Sequence, residues 1–410
     1  MILNKLSTRK NIIDSEFDFP VVGCYLIPIV YFLGNLIYLY TRFGKIYITG
    51  YYMIHYMYTY KHGFVARGLV GEVISWFYDT ITEEQLANIN TFFTVCLALA
   101  CSLYIGRMFH IVRKDKYRFS VLFLIVLVFF VLAAPINFYY ADPKLDKILW
   151  TLTFIAILLS SNRFGIWLVP AICIIATMVN PVFIFCSMVL VAIILLQEFH
   201  NKNYSLKNGI ICGVSYLSMI ALLLFGPVSQ KLLNFSTPDE MIDFYFSRYE
   251  GTLAEDVYLL FETEWLFDYF DSLPEIIRKA YNIYFLDWGN GLKTALAFLL
   301  MAVPVYCLFA IFWIKTIKFE ENKFQKFIFF LCAISPVVII PPVILSWEFS
   351  KYLYNNVLMQ AGLVIYFLVN KSPALMNTLK EIENYCKTHL FSTFATLSYF
   401  VIYIALFSKN

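Results

Sequence analysis

A polar stretch at positions 61–72 is the first part of the chain whose residue types could do chemistry. It contains Lys61, His62, Arg67 and Glu72 together with three glycines, in a chain that is otherwise mostly apolar. The guanidinium of Arg67 can bind a phosphate group through two parallel hydrogen bonds. Glu72 can accept a proton as a general base, and Lys61 and His62 are further candidates for substrate contact. A pairing of Arg67 with Glu72, or a long side chain extended toward water, would explain these residues without any function.

A second candidate group lies in the short connection at positions 139–147. It carries the carboxylates Asp142 and Asp146, one helical turn apart, and two lysines, of which Lys144 is a candidate for substrate binding. Charged groups at a membrane boundary are costly and often functional, so either carboxylate could serve as a catalytic base or an ion ligand. Asp142 could instead cap the helix that follows it, with lysine pairing explaining the rest.

Isolated polar residues and cysteines provide fewer options. Asn180 precedes a proline and could donate an amide to a substrate, although a simple turn explains it equally well. The 9 cysteines lack metal-ligand spacing, so we expect neither a structural disulfide nor a zinc site. We also expect no cofactor, while a divalent cation at Asp142 and Asp146 remains open because two carboxylates make a sparse site.

The composition predicts a membrane protein. Hydrophobic residues make up 60% of the 410 residues, the mean hydropathy is +0.70, and only 14% are charged. A soluble protein of this size could not bury that much apolar surface. Each span must then satisfy its own backbone hydrogen bonds, which predicts an all-α polytopic integral membrane protein with a single membrane domain, 1–410. The polar N-terminus argues against a cleavable signal peptide.

Eleven apolar runs can serve as transmembrane helices of roughly 20 residues each. They are 20–41, 91–112, 119–138, 143–160, 165–179, 181–197, 208–226, 292–316, 325–346, 353–370 and 389–407. The runs 165–179 and 181–197 are short and separated only by an Asn-Pro turn. We predict two spans here, because together they are too long for one crossing without strong tilt; one long broken helix is the alternative.

Lysine and arginine in the short connections set the predicted orientation. With eleven spans, the basic N-terminus and the basic connections 107–118 and 315–326 fall on one side, which is then cytoplasmic. The N-terminus is therefore inside and the C-terminus outside. A single span at 165–197 would instead place the basic connection 315–326 outside, against the rule.

Two long polar segments are predicted to face outward. The first polar segment, 42–90, has apolar residues at helical spacing from 64 to 77, which indicates an interfacial helix lying flat on the outer leaflet. Gly68 and Gly71 on it would allow another backbone or a lipid headgroup to approach closely. The second polar segment, 227–291, holds twelve acidic residues against four basic ones and predicts short amphipathic helices that form an outer helical cap.

This order of elements resembles the GT-C superfamily of membrane glycosyltransferases. The matching features are a first outer loop with flat helices, a short acidic loop with Asp142 and Asp146, and a long outer segment late in the chain. The superfamily takes sugars from polyprenyl-phosphate or polyprenyl-diphosphate donors on the outer face and usually places a catalytic acid just after span one. This chain departs from that pattern, because 39–71 contains no acid and Glu72 is the first one.

The resemblance implies a transferase of a bacterial-type inner membrane that makes envelope or surface polysaccharide. Asp142, Asp146 or Glu72 would act as general base, and Arg67 would hold the departing phosphate. The expected partners are a polyprenyl-linked saccharide, membrane lipid and other polysaccharide-assembly proteins, with no nucleic acid. One alternative is a Wzy-like polysaccharide polymerase that relies on Arg67, Arg248 and Arg278. Another, without chemistry, is a transporter or flippase of lipid-linked saccharides.

Overall fold

The computed structural model describes most of the chain in five stretches. They are 53–115 (except Ala66), 145–201 (except Ser161 and Arg163), 235–251, 291–340 and 349–407, with isolated residues in 25–41 and 209–221 and at 278 and 282. These stretches are mostly helical, which confirms the all-α class. The predicted spans 20–41, 119–138 and 208–226 lie largely or wholly outside the described residues.

Twelve α-helices and two short strands make up the described parts. In chain order they are α1 (Leu69–Ser75), β1 (Ile81–Thr82), α2 (Glu83–Asp115), α3 (Asp146–Ser160), α4 (Val169–Val179), α5 (Phe183–Cys186), α6 (Met188–Asn201), α7 (Pro238–Phe246), β2 (Tyr249–Glu250), α8 (Gly291–Phe319), α9 (Lys323–Ile334), α10 (Phe349–Val369), α11 (Pro373–Thr388) and α12 (Leu390–Phe407). Short 3₁₀ turns at Ile54–Tyr56, Gly165–Leu168 and Ser335–Ile339 complete the set.

Helix α10 is the centre of the larger hydrophobic core. Its residues from 355 to 368 are all buried, and its polar groups bond to helices on several sides. The Trp150 indole donates to Asn355 and the Trp313 indole donates to Gln360, both at 2.8 Å. The Tyr104 hydroxyl donates to the Gly362 carbonyl at 2.8 Å. Because buried polar groups are costly without partners, these bonds fix α10 in one register against its neighbours.

Paired contacts fix the relative directions of several helices. Two pairs of helices, α2 with α3 and α6 with α10, run parallel, because their contacts come in the same order along both helices. These contacts are Asn90–Lys147 followed by Tyr104–Phe154, and Leu190–Gly362 followed by Glu198–Tyr366. Helix α10 also runs parallel to α3. Trp150 of α3 bonds to Asn355 of α10. Further along both helices, Phe154 of α3 contacts Tyr104, which bonds to Gly362 of α10.

Helix α9 runs antiparallel to α10. The Asn356 amide donates to the Pro336 carbonyl, and the Gln360 amide donates to the earlier Cys332 carbonyl. A tight turn at residues 320–322 joins α8 to α9, and the Asn322 side chain caps α9 by accepting from the next backbone amides. Helix α9 ends at Ile334, well before the end of the predicted span 325–346, because a Ser-Pro pair starts a 3₁₀ turn there.

A second hydrophobic core joins the first polar segment to the start of α3, to α4 and to α7. Leu145 and Leu149 pack in this core together with Tyr58 and Val65 of the first polar segment and Met241 of α7. The two polar segments and the beginning of α3 therefore fold as one unit.

Three helix boundaries bear on the predictions. The apolar stretch 165–197 is interrupted at Asn180, where the Asn-Pro pair predicts a turn. Helix α4 lies before this break, and α5 and α6 lie after it. Helix α1 is shorter than the predicted helical stretch 64–77, because Arg67 adopts a left-handed backbone conformation just before it. Helix α11 lies in a connection for which the sequence predicted no helix, and it bends by 109° from the end of α10.

Within the described residues, the stretch Glu83–Arg107 is long and apolar enough to cross a membrane, with 25 residues that include an 18-residue window of mean hydropathy 1.7. The bent pair Asn355–Val369 and Pro373–Thr388 meets the same criterion only when both helices are counted together. Length and composition alone support this statement, and the eleven-span arrangement stays a prediction.

Candidate functional site

Gly71 of the polar stretch packs directly on another backbone, and Gly68 packs on a tyrosine ring. A Cβ at Gly71 would lie 2.2 Å from the Tyr58 carbonyl oxygen and 2.6 Å from the Tyr56 carbonyl oxygen. A Cβ at Gly68 would lie 2.7 Å from a ring carbon of Tyr60. Only glycine fits at position 71 at this spacing, so the close backbone approach predicted there is confirmed. Residues 67–72 are thereby fixed against the turn at 53–60.

Glu72 ties helix α1 to that turn. One carboxylate oxygen accepts the backbone N–H of Tyr60 at 2.8 Å, and the other accepts the Trp76 indole N–H at 3.1 Å. The carboxylate lies in the first turn of α1, where the helix dipole favours a negative charge. Burial and the nearby Glu72 raise the pKa of the Tyr60 phenol, so the phenol stays protonated at neutral pH. Glu72 thus has a structural role, and its role as a base remains a prediction.

Arg67 sits at a strained position and contacts a histidine. Its φ is 67°, in the left-handed region that side chains other than glycine rarely adopt. Its Nη1 lies 3.2 Å from Nε2 of His55, a residue only 7% exposed. A guanidinium has donors and no acceptor, so Nε2 of His55 must accept this bond and the ring proton must be on Nδ1. The half-buried Arg67 remains accessible for a predicted phosphate contact.

Arg248 reaches the same turn from the second polar segment. Its guanidinium donates to the carbonyl oxygen of Met57, and the residue is only 9% exposed. Burial lowers the pKa of Arg248 below its ordinary value, while Tyr245, Glu72 and Asp79 act in the opposite direction. Because the ordinary pKa of arginine is far above neutrality, Arg248 keeps its charge and links the two polar segments.

Backbone pairing adds a second link between the polar segments. Strands β1 and β2 are parallel, with Ile81 opposite Tyr249 and Thr82 opposite Glu250. The Ile81 N–H donates to the Arg248 carbonyl at 2.8 Å. The first and second polar segments are therefore joined by main-chain hydrogen bonds, which no sequence signal predicted.

Lys61 and His62 lie against two phenylalanines. The His62 ring centroid is 4.6 Å from that of Phe235 and 4.4 Å from that of Phe244. The Lys61 ammonium lies 5.9 Å from the Phe244 ring centroid, within the range of a cation–π contact. Packing against α7 thus accounts for His62, while the exposed Lys61 stays a candidate for substrate binding.

Asp146 and its neighbour Lys147 lie at the start of helix α3, and both are buried. They are 2% and 1% exposed, and the Lys147 ammonium donates to the Asn90 side chain at 2.7 Å. Leu145 belongs to the same core as the turn at 53–60. Asp146 therefore lies on the fold unit that carries Arg67. Asp142 and Lys144 lie outside the described residues.

Asn180 has the geometry of a turn residue. Its side-chain oxygen accepts the Val182 N–H at 3.1 Å, and its backbone caps the end of α4. The turn explanation accounts for this residue fully, and its proposed contact with a substrate stays a prediction. Arg278 is exposed and described only as an isolated residue.

The described part of the chain contains no group of three or more His, Cys, Asp or Glu side chains that could hold a metal ion. Comparisons of the chain with known protein families, with characterised proteins and with solved structures found no match.

Sequence reasoning missed His55, Asn90 and Lys147 as partners of the site. His55 is the sole histidine in the aromatic run 51–60, a signal that could have raised it. Asn90 and Lys147 are far apart in sequence, and their bond depends on the parallel packing of α2 and α3, which spacing along the chain does not reveal.

Proposed function

We propose that this chain is a polytopic membrane glycosyltransferase that uses a polyprenyl-linked sugar donor on the outer face, in envelope or surface polysaccharide synthesis. The observation that carries the proposal is the union of the two polar segments. Residues 53–82 and 235–251 form one unit, fixed to the start of α3, that carries Arg67, Glu72 and Lys61.

The helix directions support the eleven-span arrangement. In that arrangement α2, α3, α6 and α10 all cross from outside to inside and α9 crosses back, which agrees with the observed parallel and antiparallel pairs. A single span at 165–197 would make α3 antiparallel to α10. The parallel contacts of these two helices thus favour two spans there. The lysines and arginines of the connections 107–118 and 315–326 favour an N-terminus inside and a C-terminus outside a bacterial-type inner membrane.

The chemistry is an inverting displacement at the anomeric carbon of the donor sugar. The acceptor hydroxyl attacks that carbon and gives its proton to a carboxylate, Glu72, Asp142 or Asp146. The bond from the anomeric carbon to the phosphate oxygen breaks, and the phosphate leaves with the electron pair. Arg67 stabilises the charge that develops on this oxygen. A divalent cation could assist at the carboxylates, and the reaction as written does not require one.

A Wzy-like polymerase is the second candidate, and the convergence of two arginines favours it. Arg67 bonds to His55 and Arg248 to Met57, so both guanidiniums act on the same turn. A polymerase would use such arginines on lipid-linked saccharides. The non-enzymatic alternative is a flippase for the same lipids.

Arginine and carboxylate variants in cells distinguish these candidates. Arg67→Lys, Arg248→Lys and the carboxylate variants Glu72→Gln, Asp142→Asn and Asp146→Asn are scored for finished polysaccharide and for accumulated lipid-linked intermediates. The transferase proposal predicts loss of product in at least one carboxylate variant as well as in Arg67→Lys. Loss in the arginine variants alone, with single repeat units left unpolymerised, supports the polymerase. Normal polysaccharide in all five variants rejects both enzymes.

A further inference from the structure

The contact between Arg67 and His55 orients the side chain on which the proposed function depends. Arg67 follows a chain reversal at Gly63, whose φ is 126°, and is itself left-handed. Next to it, Gly68 is pressed against the Tyr60 ring. The backbone that carries the guanidinium therefore has little room to move, and the direction of the side chain depends on what it bonds.

His55 supplies a well-placed acceptor. It lies in the 3₁₀ turn Ile54–Tyr56, is buried, and its ring makes an edge contact with Tyr58 at a centroid distance of 5.8 Å. The turn is fixed by Gly71 and by Arg248, which bonds to the Met57 carbonyl. An imidazole fixed in this way can bond to Arg67 only with Nε2 unprotonated.

We propose that His55 is a positioning residue for Arg67, and that its neutral form aims the guanidinium at the phosphate of the polyprenyl carrier. This inference rests on the proposed function, because it takes Arg67 as the phosphate contact. His55 itself does not touch the substrate. It sets the orientation of the group that does, so that binding needs less reordering of a long flexible side chain.

Protonation of His55 has a defined consequence. The proton on Nε2 turns the acceptor into a donor and places two cations side by side, which breaks the bond to Arg67. Among the described residues, the other charged and titratable groups around this turn include Tyr56, Tyr58 and Tyr60 on residues 53–60, Glu72 on α1, and Tyr245, Arg248 and Asp79. Phosphate binding should therefore weaken as the pH falls and His55 becomes charged.

The test measures binding of a short-chain polyprenyl phosphate to the purified full-length protein, with the unphosphorylated polyprenol and inorganic phosphate as parallel probes. The variants are His55→Leu, His55→Gln, Arg67→Ala and, as a matched control, His62→Leu. Glutamine places an acceptor near the position of Nε2 and does not titrate. Thermal unfolding of each variant checks the fold.

We expect Arg67→Ala and His55→Leu each to weaken polyprenyl phosphate binding about tenfold, the loss expected for one oriented charge-assisted bond. His55→Gln should bind within about threefold of the unmodified protein and lose the weakening at acidic pH. His62→Leu should bind normally, and polyprenol binding should be the same throughout. Inorganic phosphate should compete only weakly, since the site takes a lipid phosphate.

Two results would overturn the positioning role of His55 and leave the proposed function intact. In the first, His55→Leu binds polyprenyl phosphate normally while Arg67→Ala binds it weakly. In the second, His55→Gln and His55→Leu lose the same amount of polyprenyl phosphate binding. Normal binding by a folded Arg67→Ala protein would instead reject the phosphate contact of the proposed function. Equal losses of binding and of thermal stability in His55→Leu and His62→Leu would assign His55 a structural role only.

Discussion

At the scale of single residues, the site depends on backbone positions as much as on charged side chains. Gly71 allows two backbones to touch, and Arg67 adopts a conformation that suits glycine better. Glu72 and Arg248, both chosen from the sequence for chemistry, bond to main-chain groups of residues 57–60. Of Arg67, Glu72 and Arg248, the half-buried Arg67 has the position that best suits a ligand contact.

Substitution of Gly71 by alanine should destabilise the protein. The added Cβ would collide with the Tyr58 carbonyl oxygen at 2.2 Å, and we expect a loss of about 1–3 kcal/mol in the free energy of unfolding, which is typical of overpacking. Thermal unfolding in detergent measures it. Gly213→Ala is the matched control, because a Cβ at Gly213 has no neighbour within 4 Å among the described residues. Equal stability of the two variants would contradict the close packing.

Two substitutions of Arg67 can distinguish its effect on stability from its effect on function. Arg67→Gly and Arg67→Ala both remove the guanidinium, but glycine accepts a φ of 67° without strain. We expect Arg67→Gly to be more stable than Arg67→Ala by about 1 kcal/mol, the usual cost of a left-handed residue with a Cβ. Both should lose transferase activity alike. A glycine variant less stable than the alanine variant would show that Arg67 is unstrained.

At the scale of elements, the bridge between the two polar segments is the central feature. The parallel strands β1 and β2 pair the two segments through their main chains. Beside them, Arg248 bonds to Met57, which lies 191 positions earlier in the chain. Helix α7 begins with a Thr237 cap that accepts from Glu240, so its start is locally encoded. Its packing against Tyr58 and His62 then places the second polar segment over the first.

A disulfide can test this bridge. In a cysteine-free background, Thr82→Cys with Glu250→Cys should form a cross-link on mild oxidation, because the two residues are paired across the strands. Cleavage of a protease site inserted between them, followed by gel electrophoresis with and without reductant, detects the bond. Each single-cysteine variant is the control. A folded double variant that stays uncross-linked would contradict the pairing of β1 with β2.

Helices could be predicted from the sequence where apolar runs are long. Helices and contacts that depend on tertiary packing could not be predicted in this way. The runs 292–316 and 353–370 correspond closely to Gly291–Phe319 and Phe349–Val369. Helix α11 was missed because hydropathy reading passes over amphipathic helices, although its buried Leu375 and Leu379 are spaced one turn apart. The bond of Arg67 to His55 depends on the left-handed turn, and neither residue type signals that turn.

At the scale of the whole molecule, the helix directions support one consistent topology. Helix α10 lies parallel to α3 and α6 and antiparallel to α9, and these contacts surround it with polar partners. In addition, α11 bonds through Thr378 to Thr316 near the end of α8, and Glu381 pairs with Lys315. In the proposed arrangement these groups all lie at the cytoplasmic side, close to the basic connection 315–326.

Cysteine labelling in cells tests that arrangement. A Glu250→Cys variant in a cysteine-free background should react with a membrane-impermeant maleimide in intact spheroplasts, since the second polar segment faces outward. A Glu321→Cys variant, in the turn between α8 and α9, should react only after permeabilisation. Both positions are exposed, so access to the reagent depends on the side of the membrane. The opposite pattern would invert the topology and place the proposed site in the cytoplasm.

We propose that Arg67 serves sugar transfer from a polyprenyl-linked donor. The direct measurement is the transfer rate of the purified protein in liposomes with radiolabelled polyprenyl-linked sugar. The unmodified protein is compared with Arg67→Gly and with Gly213→Ala. We expect transfer by the unmodified protein and by Gly213→Ala, and a rate about 10²–10³-fold lower for Arg67→Gly, as for the loss of one group that stabilises transition-state charge. Normal transfer by a folded Arg67→Gly protein would contradict this role of Arg67, and so would movement of the lipid-linked sugar across the bilayer without transfer.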